Sequence, residues 1–452
     1  MITYITAIIV LVLSFNTLTG LELNETNRTK YESIFRQILA EATKDSSSWN
    51  KLAYMCDTYG PRLSGSFNLT NSLNWIAEQM LRDGLKNVKK EDVMVPHWVR
   101  GNEKCELMAP RYQLMPVMAI GGSISTPKEG ITAPVVVVSS FEELESKKDL
   151  VNGKIVLFNA PYKGYGHNVQ YRWSGAFKAA AAGAIASLIR SVSPVGFQNP
   201  HTGSMGEYPD TLPKIPHAAI TAEDADMIQR MYNRGQNPLV KLYLEAQKLP
   251  DSPSFNVMGE VVGSEHPDDI IAIGGHSDSW DAGTGAHDDG GGCIATWQAV
   301  KLINDLGLKP KRTIRAVMWV NEENGNRGGI KYAEVHKNEK HSLVFEFDSG
   351  VFPPKGFGYT GPDSIFTYLK SFEPLLKMFG DIEIYKGGGG VDIGPMMREN
   401  KVNGMGMNTR DDGKYFWYHH SPSDTPDKVN PDDLNKCVAA IAAIIYVYSE
   451  LP

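Results

Sequence analysis

Residues 270–292 read IIAIGGHSDSWDAGTGAHDDGGG, and their reading decides the fold. The apolar run 270–273 has the composition of a buried strand. The glycines after it let the backbone turn sharply where His276, Asp278, Asp288 and Asp289 bring imidazole and carboxylate together. Downstream, 313–320 (TIRAVMWV) is a second, β-branched run that leads into Glu322 and Glu323, and 343–347 (LVFEF) is a third that leads into Asp348. Between the first two, Ala295, Ala299, Leu302 and Leu306 recur at helical spacing over 293–308, so the order is strand, helix, strand. Such a unit crosses over within a parallel sheet, and ligands bind these sheets beyond the carboxyl ends of the strands. The polar clusters are therefore expected on one rim.

Outward from this centre, the N-terminal part is expected to open an α/β domain. Ile34, Ile38 and Leu39 start an amphipathic helical stretch within 21–60 that continues through Leu52 and Met55, and 71–85 repeats the spacing through Leu73, Ile76, Met80 and Leu81. Residues 87–98 then alternate like a strand. From 122 to 245 the character changes to short strands (133–138, 154–158), an alanine-rich helix over 175–190, an aperiodic Gly/Pro/Asn-rich stretch over 194–216 and a helix over 222–232. A long block of this kind between two parts of an α/β domain is expected to be an inserted second domain. The first domain resumes with a strand over 255–262 and closes with a loop over 387–431 and a helix over 432–449. The expected organisation is thus a leader over 1–20, one domain built from 21–121 and 246–452, and an insert over 122–245.

The chain has 452 residues, 42% of them hydrophobic and 21% charged, with a net charge of −7. That is ordinary globular composition with room for a large core, and it provides no basic field for nucleic acid or anionic lipid. Residues 1–20 have an apolar centre followed by small and polar residues, as a secretory signal peptide does, although no Lys or Arg precedes Arg28. Asn24, Asn27 and Asn68 each begin an Asn-x-Ser/Thr glycosylation triplet, which fits a secreted glycoprotein. The apolar stretch 438–447 is too short to span a bilayer and is expected as a buried terminal helix. Four dispersed cysteines, Cys56, Cys105, Cys293 and Cys437, are too few for a disulfide framework; one bridged pair stays open, and Cys293 reads as a buried thiol.

His276, Asp288, Glu323, Asp348 and His420 form a set of two imidazoles and three carboxylates without thiolate, a donor set that suits a pair of zinc ions sharing one carboxylate. Glu322, adjacent to Glu323, points in a different direction and is left over as a general base. The segments GGHSDSWD, GAHDDGGG, NEEN, FDSG and HHSPSDT, taken in this order, resemble the metal-site motifs of the co-catalytic zinc exopeptidases, a family that includes bacterial zinc aminopeptidases and glutamate carboxypeptidases. The resemblance extends over nearly the whole chain, through GPRLSGS at 60–66 and an insert similar to a protease-associated domain. It implies a mixed sheet of the phosphorylase/hydrolase-like type flanked by helices, and two zinc ions as cofactor. His276, Glu323, Asp348 and His420 would be terminal ligands and Asp288 the bridge. Glu322 would activate a metal-bridging water, the Asp288–Asp289 peptide would be cis, and the Asp278 carboxylate would orient the His276 ring.

The same resemblance implies a secreted homodimer that cleaves short peptides, especially dipeptides with a free C-terminus. It leaves open retention in the secretory pathway or lysosome. Two alternatives remain at this level: an aminopeptidase on the same scaffold, and a non-catalytic, receptor-like binding protein. Other chemistries find no support. The glycine runs at 290–292 and 387–390 are not followed by Lys-Ser/Thr, and no GxSxG turn occurs. His419 either donates to an oxyanion or packs beside Trp417 and Tyr418, and His201, His217 and His287 read as structural or surface residues. Arg398, Arg410 and Lys414 either pair with a substrate carboxylate or belong to a solvated loop.

Overall fold

The computed structural model describes residues 23–44 and 46–452; the expected leader, 1–20, lies outside them. The apolar run that opens the central stretch is the strand His266–His276, buried from Asp269 to its end. It sits in the middle of an eight-stranded sheet in the order Lys86–Val99, Gln247–Val261, Arg312–Trp319, His266–His276, Lys340–Glu346, Gly404–Thr409, Pro354–Thr360, Glu383–Lys386. The four middle strands run parallel, and the flanking strands Gln247–Val261 and Pro354–Thr360 pair antiparallel to them. His276 pairs with Trp319 and Gly274 with Glu346, so Glu322, Glu323 and Asp348 leave the sheet at the rim where His276 does. The mixed sheet with flanking helices agrees with the expected class.

The helix Gly291–Asp305 starts directly at this rim and returns beneath the sheet, buried along Gly291–Val300. Its first turn must approach the next strand closely: a Cβ on Gly292 would run into the carbonyl of Phe347, and one on Gly275 into the Asp289 carboxylate. The terminal helix Pro431–Ser449 packs on it, and Glu25–Lys44 packs on the terminal helix. Leu434 to Ser449 is buried but for Lys436, as expected of 438–447. Among the described residues no helix is long and apolar enough to cross a membrane.

A second eight-stranded mixed sheet is built between Glu103 and Leu244. It takes in Glu103–Ala109, which pairs with Leu239–Leu244, and Val117–Ala119, which pairs with His217–Ile220. The expected boundary at 122 therefore falls inside this sheet, because these early strands are too short to give an alternation signal. The expected helix over 175–190 also divides. The helix runs over Tyr165–Ala181, Gly183 turns the chain at φ +88, and Ala186–Arg190 is a central strand. The expected loop over 387–431 contains the strand Gly404–Thr409, whose sequence GMGMNT lacks β-branched apolar residues. All four cysteines are free and buried; the bridged pair left open by the sequence does not form.

Candidate metal centre

Asp288 stands at the middle of the rim. Its Oδ1 lies 3.2 Å from His276 Nε2, and its Oδ2 lies 3.2 Å from His420 Nε2. Around it, His276 Nε2 is 3.8 Å from Asp348 Oδ1, and His420 Nε2 is 3.0 Å from Glu323 Oε2. Side chains separated by up to 144 positions thus face one carboxylate, each imidazole with its own second carboxylate. The peptide Asp288–Asp289 is cis.

These groups fit a bound cation. His276 Nε2, Asp288 Oδ2, Glu323 Oε1 and Asp348 Oδ1 are buried without a hydrogen-bond partner, an arrangement that is costly unless something positive sits among them. Trp280, Asp288, Glu323 and His420 enclose an interstice of about 10 Å³, the scale of one small ion or water. The donor set of nitrogen and carboxylate oxygen suits zinc. A wider cavity of about 480 Å³ opens beside Asp348, lined by Glu346, Ser349, Tyr385, Gly387–Gly390 and Met407.

The surroundings hold the donors by main-chain hydrogen bonds. The Asp278 carboxylate accepts from the N–H groups of Asn321 (2.7 Å), Glu322 (3.1 Å) and Glu323 (3.3 Å) and from the Ser64 hydroxyl at 3.2 Å. It therefore fixes the turn that carries the glutamate pair. The expected role of this carboxylate on the His276 ring is corrected by the geometry: His276 Nδ1 donates to the Asp278 carbonyl at 3.0 Å, whereas its carboxylate is 3.9 Å away. The carboxylate turns from the ring because three backbone donors converge on it.

Two anchoring residues escaped the sequence reading. Asp424, inside HHSPSDT, accepts from the N–H groups of Ala286, His287 and Asp288. Arg62, inside GPRLSGS and fully buried, donates to the carbonyls of Ser277, Thr284 and Gly285. Both lay in quoted motifs, but nothing in their type or spacing distinguished them. Asp289 accepts from the N–H groups of His276 and Gly292, both at 3.1 Å.

Burial, reinforced by the carboxylates of Glu323, Asp348 and Asp288, lifts Glu322 well above the ordinary carboxylate range against the pull of His276. Burial likewise raises Glu323 to about 7 and Asp348 to about 6. His419 stacks on His420 with ring centroids 3.6 Å apart, packs against Tyr165, Tyr415 and Phe416, and brings Nε2 to 3.6 Å from Asp288 Oδ2. His201, His217 and His287 are buried and structural: His201 Nδ1 lies 2.7 Å from the His419 carbonyl, and His287 stacks between Phe352 and Tyr418. Arg398 and Lys414 are exposed, and Arg410 pairs with Asp381 at 3.5 Å.

Comparison with known proteins places this geometry. The profile of peptidase family M28 matches residues 256–445. Carboxypeptidase Q of Mus musculus is 42% identical over 427 residues, covering 93% of this chain and 90% of its own. A peptidase M28 precursor from Shewanella amazonensis superposes with a TM-score of 0.89 at 34% identity, over 94% of this chain and 97% of that one. A zinc aminopeptidase from Bacillus subtilis shares the fold, with a TM-score of 0.66 at 20% identity over 89% and 94% of the two chains. With the rim, the donor set and nearly full-length relatives in agreement, the chain belongs to peptidase family M28 and is a zinc metallopeptidase.

Proposed function

We propose that this protein is a di-zinc exopeptidase of the carboxypeptidase type, acting on short peptides and dipeptides. The observation that carries two ions rather than one is the position of Asp288, whose two oxygens each face a different imidazole at 3.2 Å. His276 and Asp348 would hold one ion, His420 and Glu323 the other, with Asp288 shared. Bound there, a zinc pair supplies Lewis-acid polarisation of a peptide carbonyl and a water with pKa lowered to about 7.

The protein's own contribution begins with Glu322. Its turn is fixed by the N–H groups of Asn321, Glu322 and Glu323 on Asp278, and a carboxylate left outside the donor set is free to act as a general base. Glu322 takes a proton from the attacking water as the water oxygen bonds to the carbonyl carbon. It then hands that proton to the amine nitrogen as the C–N bond breaks. The cavity beside Asp348 is the space offered to a substrate side chain, and its glycine lining at 387–390 lets that chain lie close to the backbone.

Carboxypeptidase rather than aminopeptidase action is supported by the carboxypeptidase Q relatives, which cover about nine-tenths of the chain. The second sheet, from Glu103 to Leu244, is read as a protease-associated insert that walls one side of the centre. A homodimer exported through the secretory pathway completes the reading. The exposed Asn24, Asn27 and Asn68 support export by leaving all three triplets accessible to glycosylation. The test is a dipeptide panel offered free, N-acetylated and C-amidated. Cleavage lost only on amidation is expected. Cleavage lost only on acetylation would establish an aminopeptidase, and no cleavage by zinc-loaded protein would revive a receptor-like role.

A further inference from the structure

The two imidazoles of the centre are backed differently, and the difference comes from the second sheet unit. His276 donates Nδ1–H to the Asp278 carbonyl, which leaves Nε2 bare and turned toward Asp288. That is the state a ligating imidazole requires, with the proton on the nitrogen that faces away from the metal. At His420 the group facing Nδ1 is Nη1 of Arg172, at 3.3 Å. A guanidinium has donors only.

Arg172 cannot readily turn aside. It is buried on the helix Tyr165–Ala181, with Nε donating to the Ser204 carbonyl at 3.2 Å, Nη1 to the Thr202 carbonyl at 3.3 Å and Nη2 to the Tyr165 hydroxyl at 2.8 Å. The same unit grips the rest of this half of the centre. Thr202 N–H donates to the His420 carbonyl at 2.9 Å, and the Ser204 hydroxyl donates to the Glu323 carbonyl at 2.8 Å. His420 itself sits at φ +58, in the left-handed region.

Ligation through Nε2 leaves the ring proton on Nδ1, facing a guanidinium that cannot accept it. No such conflict exists at His276. We propose that Arg172 is a positioning residue that makes the two metal positions unequal, holding the His420 position weak while the His276 position binds tightly. The inference rests on the two-zinc reading above and adds to it a residue from outside the main sheet.

The test is zinc titration of the metal-stripped full-length protein against a competing chelator, with cobalt(II) titrated in parallel for its visible spectrum. Arg172→Gln removes the charge and offers a carbonyl oxygen to Nδ1–H, whereas Arg172→Lys keeps a donor-only cation. Two binding steps are expected in the wild type. Arg172→Gln should tighten the second step by about 10-fold, the scale on which partners of a ligating histidine act, and alter the cobalt band of the second equivalent only. Arg172→Lys should preserve the wild-type separation. A merely structural arginine would give looser binding when removed, so a second step unchanged or weakened in the glutamine variant overturns the inference. Should that variant unfold, Arg172→Met serves the same comparison, with tightening expected and an unchanged or weaker second step overturning it. A wild-type chain that takes up fewer than two zinc ions contradicts the two-zinc reading itself, whereas two steps indifferent to position 172 contradict only the role of Arg172.

Discussion

Replacing Asp278 by Asn separates two roles that the sequence merges. The carboxylate is fully buried and receives three backbone N–H groups and the Ser64 hydroxyl, two donors on each oxygen. An asparagine keeps one oxygen, which retains the Asn321 and Glu322 N–H groups, but presents an NH2 group to the Glu323 N–H. Leaving that buried donor unpaired costs about 1–3 kcal/mol, and the two retained bonds each weaken by about 1 kcal/mol on losing the charge. Destabilisation of about 4 kcal/mol is expected, read as a lower urea midpoint at unchanged slope. The turn that carries Glu322 loosens, so kcat should fall well beyond any change in KM. The Asp278 carbonyl remains to hold the His276 ring, so the tighter zinc step should move by less than about 3-fold. A variant of native stability that has lost zinc affinity by about 10–100-fold would refute this reasoning and restore the carboxylate to the ring.

Three further substitutions follow from the same contacts. Arg62→Met leaves the carbonyls of Ser277, Thr284 and Gly285 without their buried donor; a loss of about 4 kcal/mol in urea unfolding is expected, and a loss under 1 kcal/mol would show that the loop repacks. Asp424→Asn removes the acceptor for one of the three N–H groups leading to Asp288, so zinc affinity should drop by about 10-fold, as read by chelator competition. Burial holds His217 down to about 4, below its unfolded value near 6.5. The unfolded chain therefore takes up the proton first, and this contribution to stability, complete above pH 6.5, declines as pH falls toward 4. Between pH 7.5 and pH 5 the decline amounts to about 2 kcal/mol, and a His217→Gln variant with the wild-type dependence on pH would count against it.

Much of the centre was legible because His276, Glu323 and Asp348 follow β-branched or aromatic apolar runs that read as buried strands, and the crossover geometry of parallel strands collects their ends. The anchors were not. Arg172 lies on the helix Tyr165–Ala181, more than 240 positions from His420, and no periodicity links the two. Asp278 and His276 were rightly associated, but a sequence cannot say whether the carbonyl or the carboxylate of a residue makes the bond. Nor could the composition of GMGMNT reveal Gly404–Thr409 as an interior strand; pairing with Lys340–Glu346 and Pro354–Thr360 overrides the weak preference of Gly and Met. In the run over 175–190, alanine spacing suited one long helix, and Gly183 was the only sign that a strand begins beyond it.

The most direct measurement is metal content by elemental analysis of zinc-saturated protein, made on the wild type and on Glu322→Gln alongside dipeptide turnover. Four side chains converging on a shared Asp288, with Glu322 outside the donor set, predict two zinc ions per chain in both proteins and turnover in the wild type alone. One zinc ion per chain in the wild type, or full turnover in the Glu322→Gln variant, would contradict the account.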